Sequence, residues 1–372
     1  MNKLIRFEFR SLVRKKVFYV STIMIALIIG GFYIGQSNSA KTTSISGILS
    51  ENISANQSYM KELKSEHKEI PKWLINETNT MQKSQKAFSS HNWAEAAKYR
   101  INILDRDLAY AKKNRVDYSQ DAGLIYVKRE KKILKFVQNH NVYPDMIGRG
   151  LSGLGLVFDS LTSLFPELFV AIMIFMLSGK FTVKYQHNKN MDQLFPISNK
   201  RLDNSKLIAT FLAGLVIYLM IIFISLVIGT LTHGFGSMQY PVAIEYLTKV
   251  KISPIWIILC QGIILQILGI LAFLLLAQVI SFIFKNKIIT IMLTLLLTFL
   301  QTISPIFFPV VHPIVHLLPG VYLLGGFVAN LHVAFMTHNY SANFTQGCIV
   351  SIIYILILLS IRTMQNRISQ RL

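Results

Sequence analysis

The residues best suited to chemistry lie in stretches that otherwise carry almost no charge. His312-Pro313-Ile314-Val315-His316 sets two imidazoles at i and i+4, and His332 and His338 follow. On a helix that spacing puts both rings on one face, where they could share a zinc ion. Zinc hydrolysis also needs a carboxylate base, and residues 312–346 contain no Asp or Glu. The H-E-x-x-H pattern is absent from the whole chain. The histidines are therefore expected at a membrane interface, and no metal is assigned to the chain.

Asp159 and Glu167 stand in or near an apolar block, with Pro166 beside Glu167. An ionisable group at membrane depth is costly, so substrate contact or proton relay is the default expectation. Asp159 reads instead as a helix cap at the outer interface, and Glu167 as the deeper group. Gln261 and Gln266 share the next-but-one apolar block, with Gln278 further along it and Gln301 in the block after. Glu167, Gln261, Gln266 and Gln301 are the candidates for a substrate path. A spacing of five turns Gln266 about 140° away from Gln261 on a helix. Interhelical hydrogen bonding is the commoner role for such amides. A phosphate-cradling loop, G-x-x-x-x-G-K-[ST], is approached only at Ser178-Gly179-Lys180-Phe181, which lacks the first glycine and the hydroxyl. By that route the chain holds no ATP.

These groups are positioned by long apolar blocks. The 372 residues are 52% hydrophobic and only 15% charged, with mean hydropathy +0.45. Blocks of about 18 or more apolar residues read as bilayer spans and exclude a soluble enzyme. The net charge of +20 does not point to nucleic acid, because most cations sit at the ends of the blocks or in one long hydrophilic stretch. Cys260 and Cys348 both lie in apolar blocks, so no disulfide framework is expected.

The expected fold is an all-α polytopic membrane protein of six spans. Residues 1–16 form a basic amphipathic helix on the membrane surface, and 17–35 the first span, with a cleaved signal peptide as the competing reading. Residues 36–153 form an extracytoplasmic domain, mostly helical, with apolar residues at helical spacing over 93–111 and 124–137. Trp73, Trp93, Tyr99 and Tyr110 could form a ligand surface but are expected instead in its core. Residues 154–372 form a five-span membrane domain with spans near 156–178, 207–231, 254–284, a fifth ending at about 311, and 347–361. Between these lie a polar inner loop, 179–206, and a short outer loop, 232–253. Residues 312–346 are expected as a re-entrant element, broken by Pro319, Gly320, Gly325, Gly326 and Asn330. Segments assigned inside hold 17 Lys and Arg and the two short outer loops hold 2, which orients both termini to the cytoplasm.

Several stretches together resemble the membrane subunit of a type-2 ATP-binding-cassette exporter. Phe7-Glu8-Phe9-Arg10-Ser11-Leu12-Val13-Arg14-Lys15-Lys16 is similar to that family's interfacial helix. The inner loop, with Phe181-Thr182-Val183-Lys184-Tyr185-Gln186, then Leu194-Phe195-Pro196-Ile197-Ser198-Asn199-Lys200-Arg201, then Lys206-Leu207, looks like its coupling helix. The chain departs from the pattern where Lys184-Tyr185-Gln186 stands for an acidic residue and Asn188-Lys189-Asn190 for a Gly-Thr turn. The resemblance covers 1–35 and about 156–372 and leaves the outer domain aside. It implies a permease subunit of the cell membrane forming half of a translocation pathway, without a cofactor or an ATPase site of its own. It implies two copies of a separate ATPase that binds ATP and Mg, docking at Asp192, Gln193, Leu194, Phe195, Pro196 and Lys200. It also implies a second permease, identical or related, and outward movement of an amphipathic, lipid-like or peptide substrate. Two rivals stay open: a membrane sensor or immunity protein whose outer domain binds a peptide, and an intramembrane metallohydrolase built on the histidines.

Overall fold

A computed structural model describes residues 2–43, 45–113, 122–142, 150–186, 189–190, 197–244 and 251–371. The chain divides into two compact units. The first holds Met1–Ile29, Val157–Ser225 and Ile257–Leu372; the second holds Gly30–Leu156 and Leu226–Trp256.

Six helical stretches are long and apolar enough to cross a membrane: Lys16–Ala40, Gly153–Phe181, Lys200–His233, Ile255–Phe284, Lys287–Pro305 and Phe344–Gln365. The chain is thus an integral membrane protein by length and composition of its helices. A seventh apolar stretch is a pair of helical segments, Pro309–Leu317 and Pro319–Ala329, bent by 83° at Leu318. The bend has a local cause. Leu318 is extended, and Pro319 opens the next segment, where its missing N–H is tolerated.

The elements of the first unit follow from their sequences. Helix α1 (Asn2–Val13) is the basic amphipathic helix, and α2 (Lys16–Thr43) contains the first span. Helix α10 (Ile255–Phe284) is apolar all round and is the most buried of the spans. Helix α11 (Lys287–Phe307) starts at Asn286, whose side chain accepts from the backbone N–H groups of Ile288 and Ile289. Its buried face is a stripe of Thr290, Thr294, Thr298 and Thr302, one per four residues. Thr290, Thr294 and Thr302 satisfy their hydroxyls on carbonyls four residues earlier, whereas the buried Thr298 hydroxyl has no partner among the described residues.

Glycines let the bent pair come close. A side chain at Gly325 would run into the Gly262 carbonyl of α10, and one at Gly326 into Thr162. Gly347, in α14 (Phe344–Arg371), admits Tyr322 and Leu265 in the same way. The irregular backbone of the bent pair is thereby covered by other helices.

Two buried ion pairs close one end of this unit. Lys180 meets Glu8 of α1 at 2.7 Å and donates to Ser11 at 2.9 Å. Lys184 meets Asp203 of α9 (Asn199–His233) at 2.8 Å, and beside it the Arg362 guanidinium donates to Asn204. The loop between them holds a 3-10 turn, Ser178–Phe181, and two short antiparallel strands, β1 (Tyr185–Gln186) and β2 (Lys189–Asn190). Asp192, Gln193, Leu194, Phe195 and Pro196 lie outside the described residues. Lys200 is exposed on the first turn of α9.

The second unit is built on α3 (Ile45–Ser65), α4 (Lys72–Ser89), α5 (Trp93–Lys113) and α6 (Ala122–His140). Helix α5 buries Ala96, Ala97, Ile101 and Leu104 at helical spacing, and α6 buries Leu134 and Val137. Arg100 of α5 makes a two-pronged contact with Glu130 of α6 at 2.8 and 3.3 Å, and Lys131 pairs with Asp105. The unit departs from expectation in two places. The stretch expected as a loop contains a hairpin of β3 (Pro241–Ile244) and β4 (Lys251–Pro254), a small addition to an otherwise all-α fold. Trp73 and Tyr110, expected in the core, are 59% and 72% exposed; the small residues Ala96, Ala97 and Ser84 bring the helices together instead.

Replacing Asp203 by Ala leaves Lys184 buried without its counter-charge. Thermal unfolding in detergent is expected to show a loss of about 3–5 kcal/mol. A double Lys184→Met, Asp203→Leu variant is expected to regain most of it; a double variant as unstable as the single one would mean that the pair is not the cause.

Candidate functional site

The second span, Gly153–Phe181, is irregular where Pro166 falls. Residues Ser160–Phe169 form a π-helix, in which each N–H reaches back five residues. Pro166 has no N–H to offer the carbonyl of Leu161, five residues back. The Nε2 group of Gln266, on α10, fills the vacancy, donating to Leu161 O at 2.6 Å and to Leu323 O of the bent pair at 3.1 Å. The Tyr218 hydroxyl of α9 donates to Gln266 Oε1 at 2.7 Å, and its ring meets Phe165 edge-on at 5.0 Å. Gln266 is 0% exposed, and this one amide ties three spans to the bent pair.

Gln301 acts similarly. Its Oε1 accepts from the Gly320 N–H at 3.0 Å, its side chain also bonds Tyr354, and Thr302 donates to the Gly320 carbonyl at 3.0 Å. Of the four residues expected along a substrate path, Gln266 and Gln301 thus commit their amides to holding the bent pair. A saturated Gln266 has little bonding capacity left for a passing molecule. Gln261 is half-buried.

Glu167 differs from all of these. It lies midway along the 29-residue span Gly153–Phe181, and it is exposed. Asp159, expected as a cap at the interface, is 1% exposed and makes no side-chain capping bond to the helix after it. The reason is that the helix runs on through Asp159 without a start to cap, since its φ and ψ are already helical.

The histidines are engaged elsewhere. His312 Nε2 lies 2.9 Å from the Pro305 carbonyl, and His316 Nδ1 lies 3.1 Å from the Asn339 amide, which also donates to the His312 and Pro313 carbonyls. Among the described residues no group of three or more His, Cys, Asp or Glu gathers as a metal site would require.

A pocket of about 590 Å³ opens in the second unit, lined by Phe88, His91, Trp93, Thr232, His233 and Gly236 among others. Trp93 meets Phe88 and His91 edge-on at 4.8 and 5.1 Å, and His233 is 3.4 Å from the Tyr33 hydroxyl. Its lining mixes aromatic and polar side chains. Sequence patterns did not single it out, because its residues come from distant parts of the chain. Glu8 and Asp203 were missed too, although Glu8, the one acid before Glu51, was a readable signal among its cations.

Gln266→Leu would orphan the Leu161 and Leu323 carbonyls and the Tyr218 hydroxyl together. Unfolding in mixed micelles is expected to show a loss of about 3 kcal/mol or more, since each buried orphan costs about 1–3 kcal/mol. Gln261→Leu is expected to change stability by less than about 0.5 kcal/mol; equal effects would remove Gln266 from its central place. No family model, no curated protein and no solved structure matches this chain.

Proposed function

We propose that the chain is the membrane subunit of an ATP-binding-cassette exporter of the type-2 class. It forms half of a translocation pathway and moves an amphipathic, lipid-like or peptide substrate outward, with ATP hydrolysed by a separate ATPase. The observation that carries this reading is Glu167. A carboxylate at the middle of a span is costly against lipid, so a face that displays it needs water or a protein partner over it. Half of a pathway, completed by a second identical or related permease, supplies both.

The ion-paired end of the first unit supports the second element of the reading. Lys180 and Lys184 join α1, the second span and α9 around the inner loop. Motion imposed on that loop would pass to the spans as rigid-body displacement. Asp192, Gln193, Leu194, Phe195, Pro196 and Lys200 are the proposed docking residues. Both termini and this loop are then cytoplasmic, and the second unit is the extracytoplasmic domain. The pocket around Trp93 would serve there to capture or release substrate. That pocket also favours the rival reading of a sensor or immunity protein that binds a peptide and transports nothing.

Purification of the tagged chain in mild detergent from its native membrane separates the two. A stoichiometric ATPase is expected to co-purify and to be lost in Leu194→Asp and Pro196→Asp variants. Absence of both partner and ATP hydrolysis would sink the exporter reading. Independently, Glu167→Cys in a chain without Cys260 and Cys348 is expected to react with a water-soluble maleimide. Complete protection in the native membrane, with no cross-link to a second subunit, would mean that the position faces lipid.

A further inference from the structure

Among the described residues, one end of the first unit holds more cations than acids. Lys15 lies between α1 and α2, Lys180 at the end of the second span, and Lys287 at the first residue of α11. Glu8 is the only acid before Glu51, and it is already paired with Lys180 at 2.7 Å. The aliphatic stem of Lys287 lies over Gly179, where an added Cβ would come within 2.8 Å of its Cε. Packing therefore brings Lys287 beside Lys180. Helices α2 and α11 both begin here, and neither has an acid in its first turn, so their positive ends are uncompensated. Asn286 already occupies the first amides of α11, which leaves recognition to the ammonium groups.

We propose that this cluster binds the phosphate of an anionic phospholipid headgroup, gripped by Lys15 and Lys287 with the Lys180–Glu8 pair behind them. A merely solvated lysine face would spread its charges apart. Here the Lys15 ammonium, although exposed on one side, is held below the ordinary lysine range by desolvation first and then by the neighbouring Lys180 and Lys287 cations, with Glu8 pulling the other way. An anion relieves that repulsion. All three lysines sit at span ends, the level where headgroups lie, which favours a lipid phosphate over a free one. The inference does not depend on the exporter reading.

The test uses the full chain in lipid nanodiscs and measures phosphatidylglycerol against phosphatidylcholine retained by native mass spectrometry. A lysine near anionic headgroups contributes roughly five-fold, so Lys15→Gln with Lys287→Gln is expected to cut the preference about 25-fold. Lys15→Arg with Lys287→Arg is expected to keep it, which controls for misfolding. Lys3→Gln with Arg6→Gln removes the same charge from exposed positions of α1 and is expected to change it little. An equal fall in that control, or no headgroup preference in the wild-type chain, would overturn the proposal. Displacement of the lipid by millimolar orthophosphate would overturn the lipid as the source of the phosphate.

Discussion

The membrane unit depends on finding donors for backbone carbonyls that its own helices cannot serve. Pro166 removes the N–H that would close on Leu161, and the bent pair carries Gly320 and Leu323 in a short 3-10 segment whose backbone also bonds neighbouring spans. In hydrocarbon no water can fill such vacancies, and each would cost several kcal/mol. Gln266 serves two of these carbonyls and is itself fixed by Tyr218; Gln301 and Thr302 serve the N–H and carbonyl of Gly320. Once these bonds exist, the glycines of α10 and the bent pair can close to backbone contact, and the 83° bend becomes tolerable.

Charge organises the end of the same unit. Two buried carboxylates, Glu8 and Asp203, each hold one lysine, and around them stand further cations. Buried pairs of this kind contribute little net stability, because desolvation offsets attraction, but they penalise any arrangement that separates them. They therefore serve better as registration between α1, the second span and α9 than as a source of stability. The surplus cations have a different consequence: they make this end attractive to anions, whatever the spans transport.

Glu167 stands apart from both devices. Gln266, Gln301 and the two ion pairs are bonded, whereas Glu167 is displayed at mid-span. A carboxylate on the outer face of a span contrasts with the Gln266 amide, which is bonded through both its oxygen and its nitrogen. The Trp93 pocket in the second unit is a separate opportunity for a ligand, and its imidazoles and aromatic walls suit an amphipathic one.

Much of the architecture was legible in the residues. Apolar runs of span length fixed the number of candidate spans, since only helices hide their own backbone bonds in hydrocarbon. Helical spacing of Ala97, Ile101 and Leu104 identified α5, and the prolines and glycines of 312–346 marked the break in the last apolar stretch. The bonding role of Gln266 was weighed but not separable from a path role, because a sequence shows an amide but not its acceptors. Trp73 and Tyr110 misled for the opposite reason: an aromatic in an amphipathic helix reads as core until the facing helix proves to be packed on alanines. Local pattern determined the helices, their lengths and their charged ends, all of which depend on neighbours in the chain. Only the tertiary structure decided that Asp159 is buried, that Lys180 finds Glu8 across 172 positions, and that Glu167 is left exposed. Those outcomes depend on which distant atoms share a low-dielectric space, and no spacing along the chain records that.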